Sequence, residues 1–88
     1  MKPSMIHSID MNKAIHRNEA IRLLEDGRQH RLRLWKISTG DILAYNTATC
    51  IGVHKRRGIH RVRLSPSGEI REFRDVCLFE IDGKTIYL

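Results

Sequence analysis

The stretch RQHRLRLWKI, residues 28–37, decides the fold, because its side chains alternate with a period of two. Leu32 and Leu34 fall on one face of an extended strand, and Arg31 and Arg33 on the other. A strand with one apolar and one wet face belongs in an antiparallel sheet. Immediately upstream, NEAIRLLEDG (residues 18–27) has a different period. Ala20, Leu23 and Leu24 recur at i, i+3, i+4, which predicts a short helix. Asn18 is suited to cap it, Glu19 lies at its positive end, and Gly27 suits the left-handed stop. A helix of about two turns needs tertiary packing to exist.

Downstream, the two-residue period continues between turns. STGD (38–41) leads into DILAYNTATCIGV (41–53), a β-branched strand in which Asn46 or Gly52 marks a bulge. HKRRG (54–58) reads as a charged turn before IHRVRL (59–64). There His60, Val62 and Leu64 share one face, and Ile59, Arg61 and Arg63 the other. SPSG (65–68) is a turn, and EIREFRDVCLFEI (69–81) is long for one strand, with a bulge expected at Arg74–Asp75. Asp82-Gly83 predicts a type I′ hairpin into KTIYL (84–88). Short connections favour antiparallel neighbours. The expected fold class is therefore α+β: a short N-terminal helix and a curved antiparallel meander of about five strands, with closure toward a small, partly open SH3-like barrel. Residues 1–17 are expected to be an irregular N-terminal arm, in which NKAIHR (12–17) reads either as a short strand or as the approach to the helix, and residues 18–88 a single α+β domain.

Eighty-eight residues support one domain with one modest core. A composition of 41% hydrophobic and 30% charged residues excludes a polar disordered tail. No apolar run reaches the roughly 18 residues of a membrane span, and MKPSMIHSID lacks the apolar core of a signal peptide. Cys50 and Cys77 form no CxxC pair and no disulfide framework. Reduced thiols and a cytoplasmic location are the expectation, with no membrane partner.

The net charge of +6 is concentrated in the middle of the chain. Residues 27–64 carry nine basic side chains against Asp41 alone. Residues 1–26 balance four basic against four acidic ones, and residues 65–88 carry three against five. Confinement of charge to neighbouring strands points to a polyanionic partner. The layout resembles that of small uncharacterised proteins of bacterial phages and mobile elements, through NEAIRLLEDG, SPSGEIREFRDVCLFEIDGKTIYL and the basic strands between them. That resemblance implies a small accessory or nucleic-acid-associated protein and transfers no catalytic residue.

The site expected from the residues is a basic sheet face that docks phosphates through Arg31, Arg33, Lys55, Arg56, Arg57, Arg61 and Arg63. Arginine offers phosphate a planar fork of donors. Arg71 and Arg74 could extend the face across the SPSG hairpin, and pairing with Glu69, Glu72 and Asp75 would weaken it. Trp35 is the stacking candidate because it shares the strand face of Arg31 and Arg33; Tyr45 is a second. No spacing distinguishes DNA from RNA. Cys50, His54, His60 and Cys77 match no common zinc pattern, so neither metal nor cofactor is expected. His54, His60 and Arg57 are residue types a ribonuclease uses, but no carboxylate–His motif or nucleophile elbow accompanies them, and no enzyme is expected. The alternative is a protein-interaction or assembly module that pairs with another chain, or with its own copy, through an exposed strand edge, with KTIYL as the candidate edge.

Overall fold

The computed structural model describes residues 13–88, so most of the expected arm lies outside the described residues. In chain order the elements are β1 (Ala14–His16), α1 (Arg17–Leu24), β2 (Gln29–Trp35), β3 (Ile42–His54), β4 (Ile59–Leu64), β5 (Ile70–Arg74), β6 (Leu78–Ile81) and β7 (Lys84–Tyr87). They form one seven-stranded sheet in the order β1-β7-β6-β2-β3-β4-β5. This corrects the expected α+β meander of about five antiparallel strands. The fold is mostly sheet, the sheet is mixed, and its helix has eight residues.

Two local features make the difference. Ala14–His16 pairs in parallel with β7, with Ile15 opposite Ile86. Of the two readings of residues 12–17, the short strand is the one formed; three residues ahead of a helix carry too little pattern to name its partner. The second feature divides residues 69–81. Asp75–Cys77 forms a single 3-10 turn, so the chain does not bulge within one strand. It leaves the β5 edge and returns as β6 beside β2, with Leu34 opposite Leu78. The Asp75 N–H donates to the Gly58 carbonyl at 2.8 Å and anchors this crossing.

The helix starts two residues earlier than expected. His16, not Asn18, is the cap, and its Nδ1 accepts from the Asn18 N–H at 3.1 Å. A histidine acceptor replaces the Asx side chain because the chain enters the helix straight from β1. β3 is the long element that bends the sheet. Its register slips near Asn46–Thr47 against β2, and again at Ile51 against β4. Each extra residue bends the strand and increases its twist. As a result, Phe73 at the β5 edge and Ile81 of β6 join one buried cluster with Ala20, Leu24, Leu32, Leu34, Ala48 and Val62. The helix contributes Ala20 and Leu24, the two positions its apolar spacing aims inward.

Two buried histidines fasten the C-terminal end of α1 to the sheet. His60 on β4 is 1% exposed. Its Nε2 lies 2.6 Å from Glu25 Oε2, and its Nδ1 2.5 Å from Asp75 Oδ1. His30 on β2 is 5% exposed and lies between Asp26 Oδ1 at 2.8 Å and Asp82 Oδ2 at 2.6 Å. Glu25 and Asp26 are adjacent residues, so the helix end is clamped to two strands at once. Burial works against the charged form of His30, but the Asp26 and Asp82 carboxylates outweigh it and hold its pKa above the ordinary value. Asp26 is correspondingly held below the usual carboxylate value, first by His30 and then by the Arg28 N–H it accepts at 2.8 Å.

Candidate nucleic-acid interface

The strongest concentration of uncompensated charge is the connection from β3 to β4. Lys55–Arg57 forms a 3-10 turn with three consecutive cations, all exposed. Gly58 ends it in the left-handed conformation, φ 63° and ψ 43°, and its N–H donates to the Lys55 carbonyl at 3.1 Å. Only the glycine enters that conformation without a Cβ penalty, so HKRRG closes tightly enough to hold like charges together. Among the described residues, no carboxylate lies within ion-pair distance of Lys55, Arg56, Arg57 or Arg63.

The other expected residues are differently placed. Arg61 is paired with Glu72 across the β4–β5 ladder at 3.0 Å. Arg33 is paired with Glu80 across β2–β6 at 3.1 Å, and its guanidinium lies 5.5 Å from the Phe79 ring centroid. The Arg31 main chain is tied to Asp82: its N–H donates to Oδ1 at 2.9 Å, and its carbonyl accepts from the Asp82 N–H at 2.8 Å. Arg71 pairs with Glu69 within its own hairpin. Arg74, on the same strand, is exposed.

Register separates the expected face into pieces. Arg33 lies opposite Ala44, whereas Arg63 lies opposite Thr49 and Arg61 opposite Gly52. At roughly 3.3 Å per residue, Ala44 and Gly52 are about 25 Å apart along β3 before its bends. Arg33 and Arg61 therefore lie far apart, whereas Arg31, at the Asn46–Thr47 slip, is only two or three residues along β3 from Thr49, the partner of Arg63.

The fold instead brings in two cations from outside the basic segment. Arg17 and Arg22 of α1 line a crevice of about 470 Å³ together with Lys55, above His60. The two carboxylates there, Glu25 and Asp75, are engaged by the His60 ring. Composition by segment hid this pair, because residues 1–26 balance to zero. Only the docking of α1 against β4 brings them together.

Trp35 is 46% exposed, and its ring packs against Phe79 at 5.0 Å between centroids, tilted by 33°. It lies on the same side of β2 as Arg33, which contacts the same Phe79 ring. Tyr45 lies opposite Leu32 and is half-buried.

Cys50 and Cys77 are both free thiols, and burial pushes the Cys50 thiol up. His54 is exposed at the basic turn, whereas both His60 nitrogens face carboxylates. The four residues weighed as zinc ligands are not assembled, and no group of three His, Cys, Asp or Glu side chains among the described residues is arranged to hold a metal. The β7 strand, KTIY, is not an edge, because β1 covers its outer side. Among the described residues the edges are β1 and β5, and β5 is studded with Arg71, Glu72 and Arg74, the kind of charge that discourages strand pairing. Among the described residues, no helix is long and apolar enough to cross a membrane. Comparison with known proteins finds no matching family model, no matching curated protein and no matching solved structure.

Proposed function

We propose that the protein is a non-enzymatic module that docks on the phosphate backbone of a nucleic acid. The contacts come from Lys55, Arg56 and Arg57 on the β3–β4 turn, flanked by Arg17 and Arg22 of α1. The observation that carries this reading is the run of three exposed cations with no carboxylate partner among the described residues. Such charges are free to displace counterions from phosphates. Arg33 and Arg61 contribute less, because Glu80 and Glu72 already engage them. No donor set for base edges accompanies the turn, so affinity is expected to be sequence-tolerant.

Fluorescence anisotropy with a labelled oligonucleotide, read over a range of salt, is the test. The triple variant Lys55→Gln, Arg56→Gln, Arg57→Gln should flatten the log–log salt slope by about 0.7–0.9 for each phosphate that is no longer neutralised. Arg33→Gln with Arg61→Gln should change the slope much less. If the two variants weaken binding alike per charge removed, only net charge matters and the turn is not a site. Absence of binding by the unaltered protein at low salt would overturn the proposal.

A further inference from the structure

Between α1 and the start of the basic turn lies the crevice of about 470 Å³. Three cations line it: Arg17 and Arg22 on α1, and Lys55 at the first position of the turn. Among the described residues, none of the three is within ion-pair distance of a carboxylate. Ile21 of α1 and Val53 of β3, which is 45% exposed, add apolar surface to the same lining. Glu25 and Asp75 oppose an anion there, but each is bonded to the His60 ring, and the cations outnumber them.

Shape separates this crevice from the turn beside it. Arg56 and Arg57, the next residues of the turn, are exposed and lie outside the lining, where a backbone running past can meet them. An internal phosphate carries one charge and has a sugar on either side, which keeps it from entering a recess between two elements. A terminal phosphate monoester has a sugar on one side only. It presents three acceptor oxygens and carries a charge of about −1.5 to −2 at neutral pH. Arginine forks match such oxygens, and cations from two elements can meet them from different sides. A few hundred Å³ also has room for the attached sugar. We propose that the crevice receives the terminal phosphate of a nucleic-acid strand, held by Arg17, Arg22 and Lys55, with the sugar against Ile21 and Val53 and the following backbone on Arg56 and Arg57. This rests on the phosphate-docking function and adds the part of the strand that is recognised, its end.

Anisotropy with three internally labelled oligonucleotides tests this. One ends in a 5′-phosphate, one in a 3′-phosphate, and one is two nucleotides longer with hydroxyl ends, so that it carries no less charge. At least one phosphorylated oligonucleotide should bind about tenfold tighter than the hydroxyl-ended one. Arg17→Gln with Arg22→Gln should remove that advantage. Arg56→Gln with Arg57→Gln removes two charges outside the crevice, and should weaken all three oligonucleotides while keeping the advantage. Thymidine monophosphate should compete only in large excess, because it lacks the backbone that Arg56 and Arg57 hold. Competition at equal concentration would make a free nucleotide the ligand and overturn the proposal. Equal binding of the three oligonucleotides by the unaltered protein would overturn it too and leave phosphate docking standing. Persistence of the advantage after Arg17→Gln with Arg22→Gln would place the end elsewhere, with the same consequence. If no oligonucleotide binds at low salt, both proposals fall together.

Discussion

His60 occupies a position where deleting one side chain removes the partner of two carboxylates. Its ring separates Glu25 on the helix end from Asp75 at the crossing into β6. His60→Ala should therefore cost more than its volume, about 1–3 kcal/mol, since a buried ring hydrogen-bonded at both nitrogens is removed while its two carboxylate partners stay. Equilibrium urea unfolding measures this, and a loss below about 1 kcal/mol would show that the clamp is replaced by solvent. The second clamp predicts a pH dependence. His30 is raised above 6.5, so its stabilising contribution is complete below pH 6.5 and fades as pH rises through the raised value. Asp26 is lowered below 3.8, so its contribution is complete above that pH and is lost as pH falls through the lowered value. Stability from this clamp should peak between about pH 4 and 6.5, with Asp26→Asn flattening the acid limb and His30→Asn the alkaline one. A urea midpoint that instead climbs steadily from pH 5 to 9 in the unaltered protein contradicts this sign. The inward face of His60 was legible from its alternation with Val62. Its partners were not, because they come from 35 and 15 residues away.

Among the elements, those with many turns of pattern were legible and the short ones were not. Alternation placed β2, β3 and β4, and the Asp82-Gly83 signal gave a turn with φ of 50° and 81°, both positive as a type I′ hairpin requires. The crossing at Asp75–Cys77 escaped because three residues of 3-10 turn break alternation in the same way as a bulge. Pairing partners are long-range, so the move of β6 to the far side of β2 has no local signature. The basic turn itself was legible, since HKRRG combines charge with a glycine stop. Its geometry predicts a contrast between two glycines. Gly58 needs φ of 63°, with open space where a Cβ would go, so Gly58→Ala should cost about 1 kcal/mol through backbone strain alone. Gly52 sits in β3 with only the Arg61 Cβ nearby, at an ordinary 3.8 Å. Gly52→Ala should be neutral or stabilising by a few tenths of a kcal/mol, as backbone entropy is removed from the unfolded chain. Thermal melts of the two variants side by side decide the point, and equal losses would contradict it.

For the whole molecule, the decisive step is the redistribution of charge by folding. In the sequence, the basic excess occupies residues 27–64, and residues 1–26, which include the helix, are neutral. In three dimensions, Glu80 and Glu72 neutralise two of the central arginines, while α1 carries Arg17 and Arg22 to the side of Lys55. Of the acidic residues that follow or lie in the helix, Glu25 and Asp26 are engaged by His60 and His30, while Glu19 on α1 stays exposed. The effective site thus spans two segments, one of which has no net charge. This predicts that Arg17→Gln with Arg22→Gln lowers oligonucleotide affinity and flattens the salt slope, although both residues lie outside the basic segment. Arg33→Gln with Arg61→Gln removes the same two charges from inside it and should have the smaller effect. The same pairs read by melting temperature in excess oligonucleotide give an independent check, because a ligand that binds only the folded state raises the midpoint in step with its affinity. The ligand-induced rise should shrink for the helix pair and persist for the strand pair. The reverse order would mean that proximity in sequence, not the docking of α1 on the sheet, governs where the polyanion lies.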